Sequence, residues 1–199
     1  MQKQYAINEI FYSLQGEGIR AGCPSIFVRF SGCNQRCTME TQGFNCDTNS
    51  AAGRLMIAEE VLKEIVNCEG SCKWLVLTGG EPTLQIDSDL FQCLRTAGYR
   101  MAIETNGTLP LQQSFDWVTV SPKTAEANIK QRRADEVKYV RNYGQPIPQT
   151  TVEASHKLIS PAFNGSIIEP RVLEWCIELV KRNPDWQLSV QQHKVWHIK

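Results

Sequence analysis

Short apolar runs and helix-spaced apolar residues take turns along the chain. Ile26-Phe27-Val28-Arg29-Phe30 reads as a strand ended by Ser31-Gly32. From Ile57 to Val66, the residues Ile57, Val61, Leu62, Ile65 and Val66 recur at helical spacing. Trp74-Leu75-Val76-Leu77 reads as a buried strand that stops at Gly79-Gly80. Leu90 to Ala97 suits a helix that Gly98 closes. Further strands are predicted at Tyr99–Ile103, Trp117–Val120 and Val137–Val140. A long helix from Pro170 to Arg182 then leads to a last strand at Gln187–Val190. Segment 141–168, rich in Pro, Gln and Asn, carries the weakest pattern.

Strands separated by helices pair in parallel through right-handed crossovers, which predicts an α/β fold. The expected form is an abbreviated, partial (β/α) barrel with mostly parallel strands, occupying 1–199 as a single domain. Polar groups repeatedly follow the predicted strand ends: Cys33, Thr78 to Glu81, Glu104-Thr105, and Ser121-Pro122-Lys123. In a parallel sheet these ends share one edge, where such folds bind ligands. One active site is therefore expected there.

Composition narrows the class. The 199 residues carry 21 Lys+Arg against 21 Asp+Glu, so the formal charge is zero, which argues against a nucleic-acid or membrane-surface protein. No apolar run is long enough to span a membrane, and the N-terminus lacks a signal-peptide stretch. A cytoplasmic address is expected. In a reducing compartment, grouped cysteines bind metal or do chemistry more often than they form bridges.

Eight cysteines are present, and three of them group: Cys33, Cys37 and Cys46. A closed structural zinc site wants four protein ligands, whereas three thiolates on a [4Fe–4S] cube leave one iron free for another ligand. On spacing alone, zinc with a fourth ligand such as His156, His193 or His197 stays open. Cys68-x3-Cys72 repeats the first spacing without a third partner and reads as free thiols.

The order of motifs resembles a known family. Cys33-x3-Cys37 with Cys46, followed by Gly79-Gly80-Glu81-Pro82, is similar to the radical S-adenosylmethionine (SAM) superfamily. More narrowly, four segments resemble the 7-carboxy-7-deazaguanine synthases of 7-deazapurine (queuosine) biosynthesis: Leu14 to Gly18, Phe27 to Cys33, Cys46-Asp47-Thr48, and Leu188 to Lys194. Val120 to Lys123 and Glu104 to Thr108 fit as well. The common superfamily spacing has two residues before the third cysteine; here Thr38 to Asn45 put eight. Lengthening that loop about threefold costs only ~1 kcal/mol of closure entropy, so a cluster loop at 33–48 is permitted.

The resemblance implies an enzyme, a radical SAM lyase with a radical SAM-type core. It would convert 6-carboxy-5,6,7,8-tetrahydropterin to 7-carboxy-7-deazaguanine by radical hydrogen abstraction and ring contraction with loss of ammonia. Its implied cofactors are a [4Fe–4S] cluster on Cys33, Cys37 and Cys46, SAM, and Mg2+ on Thr48. SAM contacts are implied for Phe44, Asn45, Gly79, Gly80, Glu81, Glu104, Ser121, Pro122 and Lys123. Substrate contacts are implied for Leu14, Gln15, Gly16, Glu17, Arg29, Thr78, His193 and Lys199. An external electron donor of flavodoxin or ferredoxin type and a homodimer are implied too. Two alternatives share part of this pattern: a radical SAM activase for a glycyl-radical protein, and a non-enzymatic zinc-binding interaction module.

Overall fold

The structure, a computed structural model, describes residues 2–46, 53–68 and 71–199. In chain order the described elements are β1 (Tyr5–Leu14), β2 (Pro24–Phe30), α1 (Met39–Gln42), β3 (Arg54–Met56), α2 (Ala58–Asn67), β4 (Trp74–Gly79), α3 (Ser88–Thr96) and β5 (Arg100–Thr105). There follow β6 (Trp117–Val120), β7 (Arg133–Arg141), β8 (Glu153–Pro161), β9 (Phe163–Asn164), β10 (Ile167–Ile168), α4 (Pro170–Arg182), β11 (Trp186–Leu188) and α5 (Gln192–Trp196).

Nine strands make one sheet in the order β11-β8-β7-β6-β5-β4-β2-β1-β3. Every pair from β2 to β11 is parallel. Only β1 runs antiparallel, to both β2 and β3. The architecture is a mostly parallel α/β sheet wound as a partial barrel. Its two ends approach each other through loops: Gly18 N–H donates to Ser189 Oγ at 2.9 Å, and Gln192 N–H to the Gly16 carbonyl at 2.8 Å.

β4 explains the sheet's interior position. Leu75 and Leu77 are fully buried in the core beneath α2 and α3, while Val76 is buried on the opposite face with Phe27 and Ala102. A strand buried on both faces reads as an unbroken apolar run, and each such side chain contributes about 1.5–3 kcal/mol. The outer helices carry one apolar stripe each: Val61 and Ile65 on α2, Leu90, Phe91 and Leu94 on α3. Asp87 caps α3 by accepting from Leu90 N–H at 3.1 Å. Cys176 of α4 closes a second core with Val137, Tyr139 and Ile159, with Trp175 and Val180 of the same helix packed against it.

Segment 141–168 holds β8, whose central Leu158 and Ile159 are buried against β7 and β11. Several crossovers also lack the expected helix: β5–β6, β6–β7 and β7–β8 are joined by loops with at most a 3-10 turn among the described residues. Among the described residues no helix is long and apolar enough to cross a membrane.

Candidate active site

Alternate residues of successive strands project from the inner face of the sheet. Arg29 of β2 stands in register with Thr78 of β4, and Glu104, Thr119 and Glu136 form a row across β5, β6 and β7. With Lys138, two residues on from Glu136, they supply polar groups to a cavity of about 610 Å3, which Glu136 backs without lining it. Cys33, Cys37 and Cys46 line the same cavity.

The cysteine loop is fixed by close backbone packing. Glu81 N–H donates to the Gly32 carbonyl at 2.8 Å and Gly80 N–H to the Phe30 carbonyl at 2.9 Å. A Cβ on Gly80 would stand 1.8 Å from the Gly32 oxygen, so the loops after β2 and β4 meet at van der Waals distance only because position 80 has no side chain. On the other side Asn34 donates to Thr108 Oγ1 at 2.8 Å and accepts from Asn106 Nδ2 at 2.9 Å. The Cys46 N–H returns to the Cys37 carbonyl at 3.2 Å. Burial pushes the Cys33 thiol up; the Gln35 N–H partly offsets this, and the nearby Glu81 and Cys46 add to it.

The inserted residues form a small folded unit. Thr38 and Thr41 cap α1 reciprocally, and Gly43 ends it. The unit docks on the segment after β7: Asn142 Nδ2 donates to the Gly43 carbonyl at 2.6 Å and Gln145 Nε2 to the Gln42 carbonyl at 3.1 Å. Trp175 of α4 holds this platform by donating to the Gln145 carbonyl at 2.9 Å. Phe44 consequently faces the cavity, with the Lys123 ammonium 5.5 Å from its ring centre.

The β1–β2 loop folds across the sheet and forms another wall. Gln15 Nε2 donates to Glu104 Oε1 and Thr78 Oγ1 to Glu104 Oε2, each at 2.8 Å. Glu17 is ion-paired with Lys138 and accepts from Gln191 Nε2 at 2.8 Å. His193 of α5 lies over Gly16 so closely that a Cβ there would be 2.2 Å from its Nδ1. Nearer the rim, Arg29 Nε lies 3.0 Å from Glu9 Oε1 and Lys199 Nζ 3.1 Å from Glu9 Oε2. Burial alone would raise the Glu9 carboxyl, but Lys199 and Arg29 hold it below its ordinary value. The stacked pair Phe11–Phe27, 5.1 Å apart, gives a flat apolar surface beside them.

Most residues expected from the sequence therefore meet in one cavity: the three cysteines, Phe44, Asn45, Gly79, Gly80, Glu104, Ser121 and Lys123, together with Leu14 to Glu17, Arg29, Thr78, His193 and Lys199. Glu81 is not among the lining residues. Its carboxylate is fully buried and accepts from Thr83 N–H, Thr83 Oγ1, Thr105 Oγ1 and Asn106 N–H, tying the end of β4 to the end of β5. Pro122 also lies outside the lining. Thr48 lies outside the described residues. Glu9, Glu136 and Lys138 were not anticipated; charged residues alternating with buried Val137 and Tyr139 were the available signal.

A fold with these three cysteines lining one cavity at the strand ends defines a class. Residues 27–183 match the profile of the Radical SAM superfamily, and the chain is a member of that superfamily. A protein of Bacteroides thetaiotaomicron named 7-carboxy-7-deazaguanine synthase is 43% identical over 97% of this chain and 98% of its own length. One of the same name from Burkholderia multivorans is 36% identical over 98% and 99%. The crystal structure of QueE from Escherichia coli superposes with a TM-score of 0.72 at 26% identity, covering 96% of this chain and 95% of that one. The chain belongs to the family of the 7-carboxy-7-deazaguanine synthases. That membership sets aside the activase and the zinc-module alternatives.

The superfamily carries a [4Fe–4S] cluster and SAM, and the residues present fit them. All three cysteines are at least partly accessible and open to one cavity. Among the described residues no three His, Cys, Asp or Glu side chains are gathered tightly enough for a single metal ion.

Proposed function

We propose that this chain converts 6-carboxy-5,6,7,8-tetrahydropterin to 7-carboxy-7-deazaguanine, with ring contraction and loss of ammonia, as a radical SAM lyase of 7-deazapurine biosynthesis. The observation that carries the reading is that a single cavity is lined both by the three thiols and by Arg29, Gln15, Thr78 and His193. When bound, the reduced cluster and SAM supply a deoxyadenosyl radical that abstracts hydrogen from the substrate.

The chain's own residues bind, orient and exclude. Cys33, Cys37 and Cys46 hold the cluster. Gly79 and Gly80 leave room for the methionine part of SAM; Glu81 supports them from behind through its four hydrogen bonds. Phe44 offers an aromatic face to the adenine, and Ser121 and Lys123 offer a hydroxyl and a cation nearby. Arg29 takes the substrate carboxylate with its planar fork, seconded by Lys199. Glu104, with Gln15 and Thr78 already fixed on its two oxygens, belongs by its contacts to the substrate side as much as to SAM. The Phe11–Phe27 stack provides an apolar wall for a flat ring system.

Mg2+ would be held by Thr48, with substrate oxygens and water completing its octahedron. The chain works as one domain over 1–199, in the cytoplasm, as a homodimer, with a flavodoxin- or ferredoxin-type protein as electron donor. The test is anaerobic turnover of the carboxytetrahydropterin with SAM and reductant. Formation of the deazaguanine and release of ammonia are expected. Reductive cleavage of SAM with an unchanged pterin would refute the substrate assignment.

A further inference from the structure

The inner face of β7 carries two charged residues beneath the cavity, Glu136 and Lys138. Lys138 has a side chain only 9% exposed, and its ammonium is ion-paired with Glu17. Glu136 accepts from Thr119 Oγ1 at 2.8 Å and Ile19 N–H at 2.9 Å. Three carboxylates, Glu17, Glu104 and Glu136, thus act on one buried ammonium. The other charged groups nearby are few. Arg20, its guanidinium carbon 3.8 Å from the centre of the Trp74 ring, acts on Glu104 and Glu136 from the β1–β2 loop. Lys123, after β6, donates to Ser121, which in turn donates to the Lys138 carbonyl. From α5, His193 covers Gly16.

Burial alone would favour the neutral lysine, but Glu17, Glu104 and Glu136 outweigh it and raise its pKa. The ammonium therefore persists across the neutral range. Its removal would leave the largely buried Glu17 carboxylate without its ammonium partner, a setting that favours the protonated form. A protonated carboxyl spends one oxygen as a donor and is a poorer acceptor.

We propose that Lys138 is a positioning residue: its charge keeps the Glu17 carboxylate ionised and aimed into the cavity as an acceptor for the N–H edge of a flat, nitrogen-rich heterocycle. This rests on the functional reading above, in which that edge belongs to the pterin ring. Lys138 touches Glu17 rather than the ligand, so its effect is transmitted through the protonation state of its partner.

The test is calorimetric binding of 6-carboxytetrahydropterin to the anaerobically assembled holoenzyme with SAM and without reductant, so that no turnover occurs. Wild-type protein is expected to bind with an affinity that changes little between about pH 6 and about pH 9, the range in which buried carboxyls titrate when unpaired. Lys138→Met is expected to approach wild-type affinity at the alkaline end. Below the new Glu17 pKa its affinity falls about tenfold per pH unit. Lys138→Arg keeps the charge and should keep the flat profile. A Lys138→Met protein weakened by one factor at every pH, or not weakened at all, overturns the proposal. If Lys138→Met does not fold, Glu17→Gln/Lys138→Met, which removes both partners of the ion pair, carries the test. It should give a flat profile with weaker binding than wild type, and wild-type affinity there would equally overturn it. Absence of pterin binding by the wild-type protein refutes the functional reading itself, and this inference with it.

Discussion

The Cα of Gly80 lies so close to the Gly32 carbonyl that a methyl group at position 80 would stand 1.8 Å from its oxygen. Both partners are backbone, so neither yields cheaply. Gly80→Ala is expected to lower stability by about 1–3 kcal/mol or more through forced separation of the β2 and β4 loops. At about 2–4 °C per kcal/mol for a chain of this size, thermal melts should show a fall of several degrees. An unchanged Tm would mean that the two loops are not pressed together.

Gln145 ties the inserted loop to the body of the protein. Its amide donates to the Gln42 carbonyl at 3.1 Å while its oxygen accepts from Asn142 N–H at 2.8 Å. Gln145→Ala removes two hydrogen bonds, worth about 0.5–1.5 kcal/mol each, from the platform that holds the loop between Cys37 and Cys46. Faster loss of iron to a chelator is expected, with an unchanged far-UV circular dichroism spectrum. Equal rates of iron loss in the variant and the parent would show that the insertion holds itself.

Asp116 gives the acid limb of stability a testable contributor. Burial alone would raise its carboxyl, but the Met101 N–H and the Arg95 guanidinium hold it below its ordinary 3.8. A carboxyl that is more acidic folded than unfolded adds stability above its unfolded pKa, and that contribution is lost as pH falls through the folded pKa. Asp116→Asn should therefore be less stable than wild type near neutrality, and the gap should close below pH 3.8. Urea unfolding at a series of pH values measures this; a gap constant with pH would deny the linkage.

The parts of the fold that the chain announces are those with an unmixed signal. Trp117–Val120 and Pro170–Arg182 form with the expected limits because a strand buried at its end and a one-striped amphipathic helix each leave a single periodicity. β1 carries Asn8, Glu9, Tyr12 and Ser13 among its apolar residues, because it lies near an edge and faces the cavity mouth, and so it gave no strand signal. β8 was hidden for a related reason: its first half, Glu153 to Lys157, is largely polar and only Leu158 to Pro161 is buried.

The site was legible wherever chemistry follows spacing, as at the three cysteines, or where a run matched a family. It was not legible where contact is made across the sheet. Glu9 meets Arg29 and Lys199 only through the β1–β2 pairing and the return of the C-terminus. Lys138 meets Glu17 across 121 positions of sequence. Glu81, expected in the site, is instead consumed by its own neighbours, a role that burial reveals and sequence does not.

The reading stands or falls on three thiolates holding a cube with one open corner. The direct measurement is the iron and sulfide content of anaerobically prepared protein, beside Cys46→Ala, with SAM cleavage followed in both. Wild type should be brown, with about four irons and four sulfides per chain, and should cleave SAM on reduction, whereas Cys46→Ala should lose both properties. A colourless wild type holding about one zinc, or a Cys46→Ala protein that keeps a full SAM-cleaving cluster, would contradict it.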